Sequence, residues 1–125
     1  MIKYLIDANS VVYAMDVGNE VLKARLAQCE QGEIGISVIS YAEVAYGTRI
    51  GKPPPPEVLE AFISVIPIVD FDEAAAREYA RLPFKRVRFD RLLAAHALSI
   101  GAIVVANNEL DFADVPGLKV ENWTI

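Results

Sequence analysis

The sequence predicts an α/β fold in which a parallel β-sheet is flanked by α-helices on both faces. Three observations carry that prediction. Segments with helical spacing alternate with short apolar segments along the whole chain. The short segments are apolar nearly throughout, as buried strands are, and do not alternate polar with apolar. Gly51, the run Pro53–Pro56 and Gly101 punctuate the joins. Strands that are apolar on both sides need cover on both sides, and crossover helices supply it.

Taken in order, Lys3–Ile6 reads as the first strand and Ser10–Met15 can turn helical. Glu20–Gln31 is a helix whose stripe Leu22, Leu26, Cys29 recurs at helical spacing. Cys29 is the single cysteine, which excludes an internal disulfide, and it is expected as a small core residue. Ile34–Val38 is a second strand. Ser40–Ile50 is a helix ended by Gly51 and by the four prolines, which read as a stiff spacer between two helices. Helical spacing resumes over Glu57–Ser64 through Val58, Leu59, Phe62 and Ile63. Val65–Val69 is strand-like, and Asp72–Leu82 is a helix with Asp72 as its N-cap. Asp90 is expected to cap a helix reaching Ile100, which Gly101 stops. Ala102–Val105 is the clearest buried strand, and Lys119–Glu121 adds an edge strand.

Composition sets the outer bounds. With 125 residues, 54% hydrophobic and 23% charged, the chain can build one core, so residues 1–125 are expected as a single domain. The nearly apolar stretch Leu92–Ala106 is too short to span a bilayer, and Asp7 interrupts the first apolar run before a signal-peptide core can form. No membrane association is expected, and the cytoplasm is the expected location. A net charge of −5 argues against a simple basic nucleic-acid binder. Nevertheless Lys85, Arg86, Arg88 and Arg91 gather around Asp90. Arg86 and Arg88 are candidate substrate-binding residues, and a solvated loop is the alternative.

Ligands of open α/β sheets gather beyond the carboxyl ends of the strands, and four acids fall there. Asp7 follows the first strand, Glu43 lies in the first turn of the helix after the second, Asp90 starts the helix before the strongest strand, and Asp111 lies shortly after it. Each also has a purely structural reading. Asp7 and Asp90 are good helix caps, Ser40 and Glu43 have capping-box spacing, and Asp111 can cap a surface turn. If the four converge, hard oxygen donors without Cys or His suit Mg²⁺ or Mn²⁺. Carboxylates crowded without a cation would be pushed to higher pKa. His96, the only histidine, lies among apolar neighbours and is expected to pack in the interior.

Specific motifs sharpen this reading. Tyr4-Leu5-Ile6-Asp7-Ala8-Asn9 and Ile36-Ser37-Val38-Ile39-Ser40-Tyr41-Ala42-Glu43 resemble the opening motifs of PIN-domain ribonucleases. Phe89-Asp90-Arg91-Leu92-Leu93-Ala94-Ala95-His96-Ala97 is similar to the third acidic motif of that family. Val105-Ala106-Asn107-Asn108, followed by Asp111-Phe112, is similar to the fourth, and Pro116–Trp123 looks like the ending common in VapC-type toxins. The resemblance implies an Mg²⁺- or Mn²⁺-dependent endoribonuclease with Asp7, Glu43, Asp90 and Asp111 as catalytic and metal-binding residues. Asn9, Asn107 and Asn108 would orient them. It also implies a homodimer, a structured RNA substrate, a small VapB-like antitoxin as partner, and hydrolysis by water to a 5′-phosphate and a 3′-hydroxyl. Ala8 and Ala106 stand where the family commonly carries a hydroxyl. That departure keeps open an alternative, a PIN-like module that binds RNA or a protein without cutting.

Overall fold

The structure is a computed structural model that describes residues 1–15, 19–83 and 89–125. Along the chain run β1 (Tyr4–Ile6), α1 (Ala8–Ala14), α2 (Glu20–Gln28), β2 (Ile34–Ser37), α3 (Val38–Arg49), α4 (Pro56–Val65), β3 (Ile68–Val69), α5 (Glu73–Arg81), α6 (Phe89–Ile100), β4 (Ile103–Val105), a short 3₁₀ turn (Glu109–Phe112) and β5 (Val120–Glu121). The strands form one sheet in the order β3-β2-β1-β4-β5, and every pairing is parallel. The predicted α/β architecture is therefore the observed one.

Register explains why the strands are apolar throughout. Leu5 stands beside Gly35 and Val104, and the next residue, Ile6, stands beside Ile36 and Val105. Successive residues point to opposite faces, so each of these rows feeds a different core. On one face Leu5 and Val104 pack with Leu93, Ala94 and Ala97 of α6 and with Phe112 and Val115. On the other, Ile6, Ile34, Ile36 and Val105 pack with Val11 of α1, Leu22 of α2, Val44 of α3, Leu59 of α4, and Trp123. Gly35 keeps the first face close: a Cβ there would lie 2.7 Å from Cγ2 of Val69. Gly101 ends α6 at φ +67°, a conformation that costs little only without a side chain.

Three local expectations are corrected. The N-cap of α3 is Ser37, whose Oγ accepts from the Ile39 N–H at 3.1 Å. The helix thus starts directly at the strand end, Ser40 lies inside it, and no capping box with Glu43 forms. Asp90 is not a cap either, since Phe89 is already helical; its charge meets the helix dipole from within the first turn. The prolines are also more than a spacer. Pro56 is the first residue of α4, where a missing N–H costs nothing, and Pro54 is buried, its carbonyl accepting from Thr48 Oγ1 at 2.8 Å. Smaller shifts follow from this, because Val65 closes α4 and leaves β3 only Ile68–Val69. Asp72 does cap α5, accepting from the Ala75 N–H at 3.0 Å.

Candidate active site

The strand order fixes where a site can form. From β1 the chain steps outward to β2 and β3, then returns across β1 to β4 and β5, so the winding reverses between β1 and β4. Helices run antiparallel to the strands they connect, so the carboxyl ends of the strands and the N-termini of α1, α3 and α6 share one edge. At that edge lies a cleft of about 250 Å³ lined by Asp7, Ala8, Asn9, Glu43, Phe89, Asp90, Leu93, Asp111 and Phe112. The four acids singled out by sequence thus line one cleft, delivered by β1, α3, α6 and the 3₁₀ turn.

Each acid arrives by a different local device. Asp7 leaves β1 and caps α1, with Oδ1 accepting from the Ser10 N–H at 2.8 Å, while its own N–H donates to the Val105 carbonyl at 2.9 Å. The capping reading is therefore correct for Asp7, and it coexists with a place in the cleft. Because α3 starts at Val38, Glu43 stands in the second turn of that helix and not in the first. Asp90 enters from the first turn of α6, and Asp111 rides on the exposed 3₁₀ turn.

The electrostatics are those of acids held together without enough compensation. Burial pushes the Asp7 carboxyl above its ordinary pKa; its Ser10 hydrogen bonding opposes this, and the Asp111 charge adds to it. Glu43 is pushed up to about 6, first by desolvation and then by Asp7 and Asp90. Oδ1 of Asp90 is buried with no hydrogen-bond partner. An unpaired buried carboxylate oxygen is costly, and a cation would relieve it. Among the described residues no three carboxylate, thiol or imidazole side chains stand close enough together to hold a metal ion as they are placed. Even so, the oxygen-only donors, the orphaned Oδ1 and the raised carboxyls fit a hard divalent cation drawn from solution.

The asparagines divide. Asn9 lines the cleft, but Asn107 and Asn108 do not. Asn107 is half-buried with its Oδ1 unpartnered, its backbone carbonyl accepting from Asn122 Nδ2 at 3.0 Å; Asn108 is exposed at the start of the 3₁₀ turn. Arg86 and Arg88 lie outside the described residues. Arg91 is tied to Asp114, with one contact at 2.8 Å. His96 is buried and away from the cleft, its Nδ1 paired with Ser37 Oγ at 2.8 Å and its ring edge-on to Phe71. Desolvation lowers its pKa, so it is a neutral structural group linking α6 to the end of β2. Reading the sequence by charge missed Phe89, Leu93 and Phe112 as cleft walls. Phe89 sits beside an acid in its motif, and that adjacency was the available signal.

The chain matches the PIN domain family over residues 4–118. It is 31% identical to the tRNA(fMet)-specific endonuclease VapC of Shigella flexneri, over 99% of this chain and 100% of that protein. It is also 31% identical to ribonuclease VapC2 of Haemophilus influenzae, over 98% of this chain and 99% of that one. Among solved structures it resembles VapBC2 of Rickettsia felis bound to a promoter DNA fragment, with a TM-score of 0.86, 30% identity, and coverage of 98% of this chain and 99% of that chain. DNA-bound VapBC of Salmonella typhimurium aligns with a TM-score of 0.83 and 30% identity, again over 98% of this chain and 99% of that one.

Proposed function

The chain belongs to the PIN domain family, and from that premise we propose that it is the ribonuclease toxin of a VapBC-type pair, with Asp7, Glu43, Asp90 and Asp111 as its catalytic centre. The observation that carries this reading is the meeting of four acids from four elements in one cleft at the switch point of the sheet. Caps that served only their own helices would have no reason to share a cleft. On this reading residues 1–125 form one PIN domain that works in the cytoplasm as a homodimer. Among the described residues no helix is long and apolar enough to cross a membrane.

A bound Mg²⁺ or Mn²⁺ would neutralise the acids and supply Lewis-acid polarisation of the phosphodiester for attack by water. The chain's own residues do the remaining work. Asp7, Glu43, Asp90 and Asp111 would hold the cation, directly or through water. Asn9, which lines the cleft, would orient a carboxylate or a water there. Phe89, Leu93 and Phe112 supply the apolar walls of the site. Arg86 and Arg88 remain candidates for phosphate contact. The test is cleavage of labelled RNA, initiator tRNA first because the Shigella relative is specific for it, with and without divalent cation. RNA left intact by folded protein in the presence of Mg²⁺ and of Mn²⁺ would favour the non-cutting module.

Proton linkage gives the metal a pH signature. The folded pKa of Glu43, about 6, exceeds its ordinary 4.5. Without metal its contribution to stability is therefore full below about pH 4.5 and is lost as pH rises through about 6. Cation binding requires the ionised form and so displaces a proton. The rise in melting temperature on adding Mg²⁺ or Mn²⁺ is expected to be larger at pH 7.5 than at pH 5, and equal shifts at the two values would remove Glu43 from the binding set.

The antitoxin has a suitable seat in a groove that shares no lining residue with the acid cleft. An apolar groove of about 460 Å³ runs between α4 and the ends of α1 and α2, lined by Met15, Leu26, Val58, Phe62 and Val65 among others. Val58 and Val65 are exposed, and Phe62 is half-buried. An amphipathic partner helix would bury them. Phe62→Ala is expected to weaken antitoxin binding by about 1–3 kcal/mol while leaving RNA cleavage by the free toxin intact. Calorimetric affinity equal to the parent's would return Phe62 to a purely internal role.

A further inference from the structure

Next to the acid cleft lies a second hollow of about 190 Å³, and the two share a wall made of Ala8, Asn9 and Glu43. Its outer side is Tyr46, Gly47 and Lys52. Tyr46 follows Glu43 by three residues in α3, so both stand on one helix face. Tyr46 is 66% exposed, which means that it contributes little to either core. Gly47 adds no side chain to the hollow, and among the described residues beyond its own helix turn a Cβ there would meet Lys52 Cβ, at 3.8 Å. Lys52 is held in place by its backbone: Gly51 turns the chain at φ +93°, the Lys52 N–H donates to the Gly47 carbonyl at 2.8 Å, and Thr48 Oγ1 anchors the Pro54 carbonyl. No ion pair among the described residues engages the Lys52 ammonium.

We propose that this hollow seats the nucleotide adjacent to the scissile phosphate, with its base stacked on Tyr46 and its phosphate on Lys52. The inference rests on the ribonuclease reading above and adds to it the residues that position the strand. A chain of net charge −5 with four acids in its cleft repels a polyanion, so a cation one step from the acids offsets part of that repulsion. An exposed aromatic face accepts any unpaired base, because every base has a π-face. A paired base would present only its edge, so the hollow selects a locally unstacked segment of RNA. Asn9, exposed on the shared wall, offers both a donor and an acceptor to the edge of that base.

The test uses the full chain carrying Asp7→Asn, to prevent cutting, and a fluorescent single-stranded 12-nucleotide RNA that the parent cleaves. Adding Tyr46→Ala is expected to weaken binding about 5- to 140-fold, the range of base–aromatic stacking, and Tyr46→Phe is expected to restore it. Single abasic substitutions walked along the RNA should cost affinity at the position next to the cut in the protein that keeps Tyr46, and cost nothing further there once Tyr46→Ala is added. Lys52→Ala should lower the slope of log affinity against log salt by about 0.7. Unchanged affinity, or an abasic penalty that persists without the Tyr46 ring, overturns the subsite while cleavage by the parent keeps the ribonuclease reading intact. A Tyr46→Ala protein that binds RNA normally but sediments at a different mass would assign the surface to a second copy and likewise overturn it. If the parent cleaves no RNA, the ribonuclease reading itself fails.

Discussion

Asp7→Asn is expected to lower RNA cleavage by about 100-fold or more while leaving the protein as stable as the parent at pH 7, or more stable. The loss follows from removing one of the charges that would hold a divalent cation: such a cation's stabilisation of a phosphodiester transition state is worth several kcal/mol, and each ~1.4 kcal/mol is tenfold in rate. The gain in stability follows from the sign of the pKa shift. Burial raises the Asp7 carboxyl above its ordinary value, so its contribution to stability is full below the unfolded pKa and is lost as pH rises through the folded one. Once ionised, the buried carboxylate is a cost to the fold, which asparagine removes. Asn also keeps the cap, since its side-chain oxygen can accept from the Ser10 N–H as Oδ1 does now. The stability advantage should therefore narrow as pH falls toward the ordinary carboxylate range. A residue present only to cap α1 would differ in the cleavage assay: Asp7→Asn would keep full activity, and Asp7→Ala would cost about 0.5–2 kcal/mol of stability with activity retained. Melts and cleavage rates on the same samples decide, and full activity in the Asn variant would sink the assignment. Asp90→Asn should likewise lower cleavage, because it removes another of the charges lining the cleft that would hold the cation, and its buried Oδ1 has no hydrogen bond to lose.

How far these outcomes could be anticipated from sequence depends on the kind of signal each residue emits. The sheet was legible because its strands are buried on both faces and so carry no polar residues: Leu5 and Ile6 serve opposite cores from adjacent positions. The acids were legible because polarity at the end of an apolar strand is conspicuous, as at Asp7 after Ile6. Helix starts were less so. Ser37 and Ser40 are both plausible caps three residues apart, and only the strand's end at Ser37 decides between them. Pro56 was misread because a proline that cannot continue a helix can still begin one. The hollow beside Tyr46 had no local signal at all. It depends on the turn at Gly51 bringing Lys52 back against Gly47, a tertiary event that periodicity does not encode.

Trp123→Ala is expected to cost about 3–5 kcal/mol, the largest stability loss of any substitution considered and a large share of the roughly 5–15 kcal/mol that holds a domain folded. The side chain lies only two residues from the C-terminus, yet it is 1% exposed. It packs into the core shared by Ile6, Ile36 and Val105, with the Tyr4 ring edge-on at 4.9 Å and the Arg25 guanidinium 4.7 Å from its centroid. Its Nε1–H donates to Glu121 Oε1 at 2.9 Å, and the same oxygen accepts from Arg25 at 3.2 Å. One indole thus ties β5 to β1 and α2. The truncation removes apolar burial, leaves a cavity between sheet and helices, and frees Glu121 from one of its two donors. Trp123→Phe should recover most of the packing and lack only the hydrogen bond, a net loss of about 1 kcal/mol from that bond on top of the smaller ring. The consequence reaches the acid cleft through β4, because the Glu121 carbonyl accepts the Ala106 N–H at 3.0 Å, and Ala106 precedes the segment that carries Asp111. Urea melts of the two variants read the effect directly. A Trp123→Ala loss below about 1 kcal/mol would mean that the tail is only laid against the fold, and cleavage that falls while the melt is unchanged would move Trp123 from support of the sheet to the site itself.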